Sequence, residues 1–328
     1  MTARLPLCAV LGPGTMGSGI ALSLALGGAT VRLWGRRAEA LPKALERAAN
    51  GFDFLAARGL ADAGDRHAVL ARISVKLDLA EAVEGAGFVI EAAAEDVAIK
   101  QRLLAEAETH APADAVTSST TSALSATEIQ SALARPENFC IAHYAQPAHL
   151  VELVEVVPGM QTSKRATELT TRLLADTEKT PVTCPDVPGF LWARIQHAVL
   201  REFVSLVDKG LVTPEACDTI LKVGYASRLP AMGAFEHADL AGIDLISGAA
   251  AKAVWVDLSN ETDPDATAIG RLKAKGALGM KSGCGFYDWK ARDSDDFKAR
   301  RDEEIIRRVK IRRGGKVVPS DAKSGETS

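Results

Sequence analysis

The sequence predicts an α/β fold: a doubly wound, mostly parallel sheet followed by an all-helical C-terminal domain. Three observations predict it. Short apolar runs alternate with longer amphipathic runs through the first half of the chain. A glycine-rich turn, Gly12-Pro13-Gly14-Thr15-Met16-Gly17, follows the first apolar run and opens the first helical pattern. Beyond Pro185-Asp186-Val187-Pro188-Gly189 the strand-like runs largely disappear. The 328 residues suffice for two domains. The expected division is a sheet domain over 1–185, a helical domain over 186–290, and a charged helix with a flexible tail over 291–328.

Taken in order, the expected strands are residues 7–11, 30–34, 88–90, 115–117, 139–142, 150–157 and 181–184, each a short run rich in apolar and β-branched residues. Helical periodicity marks residues 16–26 and 39–57 between the first of these. After the boundary, residues 190–209, 214–223 and 240–258 read as helices, with Thr213 the N-cap before Pro214. The chain end is rich in charge, then in Gly, Ser, Lys and Asp.

Composition removes several classes of partner. Apolar residues make up 47% and charged residues 25%, so a core forms without disulfides or metals. A net charge of −3 supplies no basic field for nucleic acid. Cys8, Cys140, Cys184, Cys217 and Cys284 are scattered, which reads as a reducing, cytoplasmic setting. His and Cys nowhere gather at metal-ligand spacing, so no metal is expected. No run approaches the roughly 18 apolar residues of a membrane span. The apolar residues 5–11 run into the glycine turn without a small-residue cleavage site, so they read as a buried strand and not as a signal peptide.

The turn carries the first chemical signal. Gly12 permits the tight bend, Gly14 lets backbone approach a pyrophosphate, and Gly17 lets helix and strand pack closely. The helix start at Thr15 and Met16 offers free N–H groups and a positive dipole end to phosphate. Strand before and helix after favour a Rossmann-type dinucleotide site over a purely structural turn. An NAD site usually places Asp or Glu at the end of the second strand, on the ribose 2′-OH. Here the run is Leu33-Trp34-Gly35-Arg36-Arg37, with Gly35 where the acid is expected. Arg36 and Arg37 can grip a 2′-phosphate through charge-assisted bonds of about 1.5–3 kcal/mol each. NADP is therefore favoured; NAD is the alternative, if both arginines merely face solvent.

A second constellation follows: Ser118-Ser119-Thr120-Thr121-Ser122-Ala123-Leu124, then Ala142-His143-Tyr144-Ala145-Gln146-Pro147, then Val151-Glu152-Leu153-Val154-Glu155-Val156. With these motifs in this order, the chain resembles the 3-hydroxyacyl-CoA dehydrogenase family in its wide sense, including gulonate dehydrogenase, lambda-crystallin and carnitine dehydrogenase. The match covers residues 90–156 and continues more loosely to 289, through Pro188-Gly189-Phe190 and Gly283-Cys284-Gly285-Phe286-Tyr287. The resemblance implies roles residue by residue. His143 matches the catalytic histidine, Glu155 the acid that holds its imidazole, and Ser122 the serine that bonds the substrate oxygen. Glu95 and Lys100 match a Glu-x4-Lys pair near the nicotinamide half of the cofactor. Thr120, counted with the cofactor site, replaces an asparagine common in the family. A site in the cleft between domains and a homodimer through the helical domain are also implied. The chemistry agrees, because oxidising an alcohol needs a base on the hydroxyl proton, and an imidazole with a reference pKa of about 6.5 exchanges that proton near neutrality. His149 and His197 are weaker candidates, structural or substrate-lining. His67, His110, His237 and Glu152 read as surface or helix positions.

Two family asparagines are replaced, by Gln146 before Pro147 and by Ala193 after Pro188-Gly189-Phe190. The expected activity is hydride transfer between a secondary alcohol or ketone and NAD(P), with a small hydroxy acid or polar hydroxyl compound as favoured substrate. Acyl-CoA members carry a lysine-rich hairpin after the second strand, whereas residues 38–78 hold only Lys43 and Lys76 as lysines. The run Gln146-Pro147-Ala148-His149-Leu150 is also more similar to the gulonate and carnitine branch. Arg194 can meet a substrate carboxylate in a two-pronged contact, or serve a domain interface. A true 3-hydroxyacyl-CoA dehydrogenase is the first alternative. A non-catalytic NADP(H)-binding sensor or crystallin-like protein is the alternative of another class. A β-hydroxyacid dehydrogenase is disfavoured, since no lysine lies between Pro188 and Asp208.

Overall fold

A computed structural model describes residues 5–314. Eight strands form one sheet: β1 Cys8–Leu11, β2 Val31–Trp34, β3 Ile73–Lys76, β4 Phe88–Glu91, β5 Val116–Ser119, β6 Phe139–Tyr144, β7 Leu153–Pro158 and β8 Thr180–Thr183. Their order is β3-β2-β1-β4-β5-β6-β7-β8. The first six run parallel. β7 is antiparallel to β6, and β8 is parallel to β7. All four residues of β1, β4 and β5 are buried, as expected for parallel strands covered on both faces.

The chain reverses its direction of travel across the sheet between β1 and β4. The crevice beyond their carboxyl ends is the switch point where such sheets receive ligands. The helix Thr15–Leu26 starts at that end, and Gly17 to Ala25 are all buried. Ile20 and Leu24 join Val10, Leu33 and Ile90 in the main core.

Three sequence expectations need correction. β3 was not anticipated: Ile-Ser-Val-Lys is an edge strand with one buried residue, so it needs no apolar run. The single helix expected over 240–258 is three pieces, Ala234–Ala241, Ile243–Ile246 and Ala249–Asp257. Gly242, at φ +99°, leaves the helical region, and Gly248 is extended at the start of the third piece. Glu152, read as surface, is 7% exposed and is held by Arg313 at 2.7 Å and by Arg312.

Residues through Ala193, together with those from Ile305, form one compact unit, and Arg194–Glu304 forms a second. The helix Trp192–Asp208 leads into the second unit, where Thr213 caps Pro214–Thr219 by accepting from the Ala216 amide at 3.2 Å. The charged helix is Ser294–Arg312, and in the first unit its Ile306 packs with Leu55 and Leu150. The tail expected after it lies outside the described residues.

Candidate active site

The glycine turn is built as its sequence requires. Gly12 sits at φ +135°, and a Cβ there would lie 2.5 Å from the Ala92 carbonyl oxygen. A Cβ on Gly17 would lie 1.8 Å from the Gly12 oxygen. Around Gly14 a Cβ would meet nothing within 4 Å, so this glycine faces open space at the helix start. Thr15 is exposed and Met16 half-buried beside it. Arg47 from the helix Ala40–Ala56 donates to the Pro13 carbonyl and, at 3.4 Å, to Ser18 Oγ. The turn therefore closes inward and opens outward, the shape a diphosphate needs. Arg36 and Arg37 are exposed at the end of β2.

The second cluster follows from strand register. β6 and β7 pair with His143 opposite Glu155, and directly opposed residues project from one face. His143 Nδ1 lies 2.8 Å from Glu155 Oε2, and Nε2 lies 3.1 Å from Ser122 Oγ. Glu155 is 2% exposed. Its Oε1 accepts from the Leu191 and Trp192 amides, both at 2.9 Å, at the start of the helix Trp192–Asp208. Burial by itself raises the Glu155 carboxyl; the His143 bond and the two amides outweigh it and hold the group below the usual carboxylate range. An ionised Glu155 only accepts, so Nδ1 carries the imidazole proton and Nε2 presents its lone pair toward Ser122.

The chain around the junction supports this pair. Gly189 and Phe190 have φ of +77° and +49°, a bend that precedes the two donating amides. The buried Phe190 ring lies against His143, with centroids 5.6 Å apart. Asp186 accepts from Ser125 Oγ and from the Ala126 and Thr127 amides at 2.7–2.9 Å, which ties the junction to the helix Ala126–Gln130. Cys184 Sγ lies 3.5 Å from Glu155 Oε1, and burial, with that carboxylate, pushes the thiol up to about 12.

Ser122 is held from its other side. Its amide donates to Glu95 Oε1 at 3.1 Å, and Thr121 Oγ1 donates to the same oxygen. Burial raises the Glu95 carboxyl, but Thr121, Lys100 and the Ser122 amide together hold it below the usual range. Glu95 Oε2 pairs with Lys100 at 3.2 Å. Lys100 is 1% exposed, and its ammonium reaches both oxygens of Glu91 at 2.8 and 3.1 Å. Glu91 is fully buried and accepts as well from Ser119 Oγ and, at 2.9 Å, from the Ala93 amide. One connected network thus runs from Glu91 through Lys100, Glu95 and Ser122 to His143 and Glu155.

The structure brings together His143, Glu155, Ser122, Glu95 and Lys100. Lys100 turns inward to two carboxylates. Thr120 ties β5 to β6: its Oγ1 accepts from the Tyr144 amide at 3.2 Å. His149 packs between helices, where a Cβ on Gly51 would stand 3.5 Å from its Nε2. Arg194 and His197 are exposed in the second unit. Glu91, Thr121, Cys184 and Asp186 join the network although the sequence did not mark them as candidates. Glu91 had a legible signal, a carboxylate closing the apolar run Phe88-Val89-Ile90 at a strand end. Among the described residues no group of His, Cys, Asp and Glu could hold a metal ion, and no helix is long and apolar enough to cross a membrane.

Comparison with known proteins gives consistent matches. Residues 7–187 match the family described as 3-hydroxyacyl-CoA dehydrogenase, NAD binding domain, and residues 189–289 match the corresponding C-terminal domain. The chain is 30% identical over 305 residues to 5-formyl-3-hydroxy-2-methylpyridine 4-carboxylate 5-dehydrogenase of Mesorhizobium japonicum, covering 91% of this chain and 95% of that one. It is 32% identical to the mitochondrial hydroxyacyl-coenzyme A dehydrogenase of Sus scrofa, covering 86% and 90%. A solved structure of the pyridine carboxylate dehydrogenase, described as an NAD+ dependent dismutase, superposes with a TM-score of 0.85 at 28% identity, covering 94% and 99%. The (S)-3-hydroxybutyryl-CoA dehydrogenase of Ralstonia eutropha superposes at 0.72 with 26% identity, covering 87% and 99%.

Proposed function

The chain belongs to the 3-hydroxyacyl-CoA dehydrogenase family, and from this premise we propose that it interconverts a small hydroxy acid, or a comparable polar hydroxyl compound, and its keto form, using a nicotinamide dinucleotide. The observation that carries the reading is the His143 imidazole fixed between Glu155 and Ser122. In the oxidising direction, Nε2 of His143 takes the hydroxyl proton while the Ser122 hydroxyl holds the same oxygen. Glu155 sets the tautomer and stabilises the imidazolium that forms. In reduction the same nitrogen returns the proton. Gly12, Gly14, Thr15, Met16 and Gly17 would hold the cofactor diphosphate. The cofactor, when bound, accepts or supplies the hydride. Lys100 acts as a positioning residue, fixing Glu95 and through it Ser122. A complete proton-transfer geometry, with dehydrogenases among the relatives, speaks against the non-catalytic alternative.

Substrate class is supported by the segment after β2. Three of its basic groups are taken up within the protein: Arg66 by Asp53 at 2.7 and 3.0 Å, Lys76 by Glu81 at 2.8 Å, and Arg72 by the Ala25 carbonyl at 3.1 Å. They are poorly placed to bind CoA phosphates. A relative named for a pyridine carboxylate supports the same class. The acyl-CoA alternative draws on the hydroxyacyl-CoA relatives. Steady-state kinetics on small keto acids against acetoacetyl-CoA test the two. Keto acids are expected to give the higher kcat/KM; acetoacetyl-CoA turnover at about 10⁴ M⁻¹s⁻¹ or more, with keto acids inert, would restore the acyl-CoA reading.

NADP(H) is the preferred cofactor in this reading. A Cβ on Gly35 would stand 2.7 Å from Pro13 Cγ and 3.0 Å from Leu41 Cδ2, so an acid cannot begin there without displacing Pro13. The two exposed arginines that follow suit a 2′-phosphate. Replacing both by glutamine is expected to weaken NADPH far more than NADH in a fluorescence titration. A parent protein that binds NADH as tightly as NADPH would refute the preference.

The protein is also proposed to act as a homodimer. In Arg194–Glu304 the buried apolar residues are Val204, Cys217 and Ala268, while Phe235, Leu240, Trp255 and Val256 are at least 74% exposed. So large an apolar surface on one helical unit needs a cover, and a second copy supplies it symmetrically. Sedimentation equilibrium is expected to give twice the 34.6 kDa chain mass; a monomer at micromolar concentration would contradict this.

A further inference from the structure

Lys179 immediately precedes β8 and is 9% exposed. Its Nζ donates to the Ala148 carbonyl at 2.6 Å and to the Val151 carbonyl at 2.9 Å. A neutral amine has two N–H groups and one lone pair, whereas an ammonium has three N–H groups. The two carbonyls satisfy the two N–H groups of the amine completely. An ammonium would keep a third N–H, and among the described residues the Tyr144 ring stands near it, 5.8 Å away at its centroid.

The neighbouring charges do not restore the ammonium. Glu152 is held by Arg312 and Arg313, and the mostly exposed Glu178 pairs with Arg313 at 3.0 Å. Arg313 itself is a cation close to the amine, while Lys310, Arg72, Asp62, Asp65 and His149 line the same cavity. Burial first, then Arg313, pushes the amine down to about 7, against an opposing pull from Glu178.

Lys179 lines a cavity of about 750 Å³ within the first unit, whose apolar wall includes Phe52, Leu55 and Leu150. That volume suits a small organic molecule. We propose that Lys179 is a carbonyl-reactive amine and that this cavity admits a small aldehyde to it. The Nζ lone pair attacks the aldehyde carbon and forms the C–N bond. The carbinolamine then loses the former carbonyl oxygen as water, with both hydrogens of that water derived from the amine, to give C=N. No oxidant or reductant takes part. Condensation withdraws both N–H groups from Ala148 and Val151, in the segment that joins the strand of His143 to the strand of Glu155.

The test is lysine-resolved reductive methylation of the folded protein with formaldehyde and cyanoborohydride, read by peptide mass spectrometry across about pH 6 to 9. The rate at Lys179 is expected to level off above a pH of about 7. A lysine model peptide treated alongside, with the ordinary amine value of about 10.4, should instead keep rising about tenfold per pH unit. A Lys179→Met variant, checked for folding by circular dichroism, should lose that one peptide signal. Absence of Lys179 modification in the folded protein, or a rate that climbs in parallel with the model peptide, would overturn the proposal. The wild-type profile decides the matter even if the variant does not fold, and it is independent of dehydrogenase activity.

Discussion

Replacing His143 by alanine is expected to lower turnover by about 10²–10⁴, the usual contribution of a positioned acid/base group. Cofactor affinity should stay close to wild type, because the proposed diphosphate site is the turn from Gly12 to Gly17, which the imidazole does not build. Glu155→Gln should act in the same direction but more mildly, since an amide can still accept from Nδ1 without countering the imidazolium charge. The same carboxylate gives a pH signature. Its folded value lies below the ordinary 4.5, so the ionised group binds its donors more strongly in the folded state. The stabilisation it contributes is present above about pH 4.5 and is lost as pH falls through the lower folded value. Urea denaturation of wild type and Glu155→Gln should therefore diverge near neutrality and converge in acid. Near-normal turnover of His143→Ala would remove the proposed mechanism, and a pH-independent stability gap would remove the electrostatic account of Glu155.

Lys100→Met is expected to be the most destabilising single change in the network. It leaves Glu91, fully buried, without its cation. Removing one partner of a buried pair costs about 3–5 kcal/mol, which for a unit of this size lowers Tm by roughly 6–20 °C. Adding Glu91→Gln removes the stranded charge while keeping an acceptor for the Ala93 amide, so the double variant should recover part of the loss. Thermal melts of the three proteins check this. A Lys100→Met variant that melts with wild type would show that the buried pair contributes nothing net to stability.

Local pattern determined much of this protein. The glycine turn, the alternation of strand and helix, the change to helices after the Pro-Gly-Phe junction and the choice of His143, Glu155 and Ser122 as candidate residues were all legible, because each rests on spacing within a few residues or on a motif that keeps its order. The edge strand β3 was not legible, since a strand buried at one position has little apolar signature. The break at Gly242 was missed because apolar periodicity continues across a residue whose backbone does not.

Tertiary structure decided the rest. Only the antiparallel register of β6 and β7 sets His143 against Glu155 and brings two separate motifs into one cluster. Only the packing of the helix Val97–His110 against β4 turns Lys100 inward to Glu91. Glu152, a surface residue by strand alternation, is buried because Arg312 and Arg313 return to it from the far end of the chain. Lys179, one charge among many in sequence, becomes an amine enclosed by two carbonyls and a cavity. In each case the partner is remote in sequence, and the burial that governs the chemistry belongs to the assembled fold and not to any segment of it.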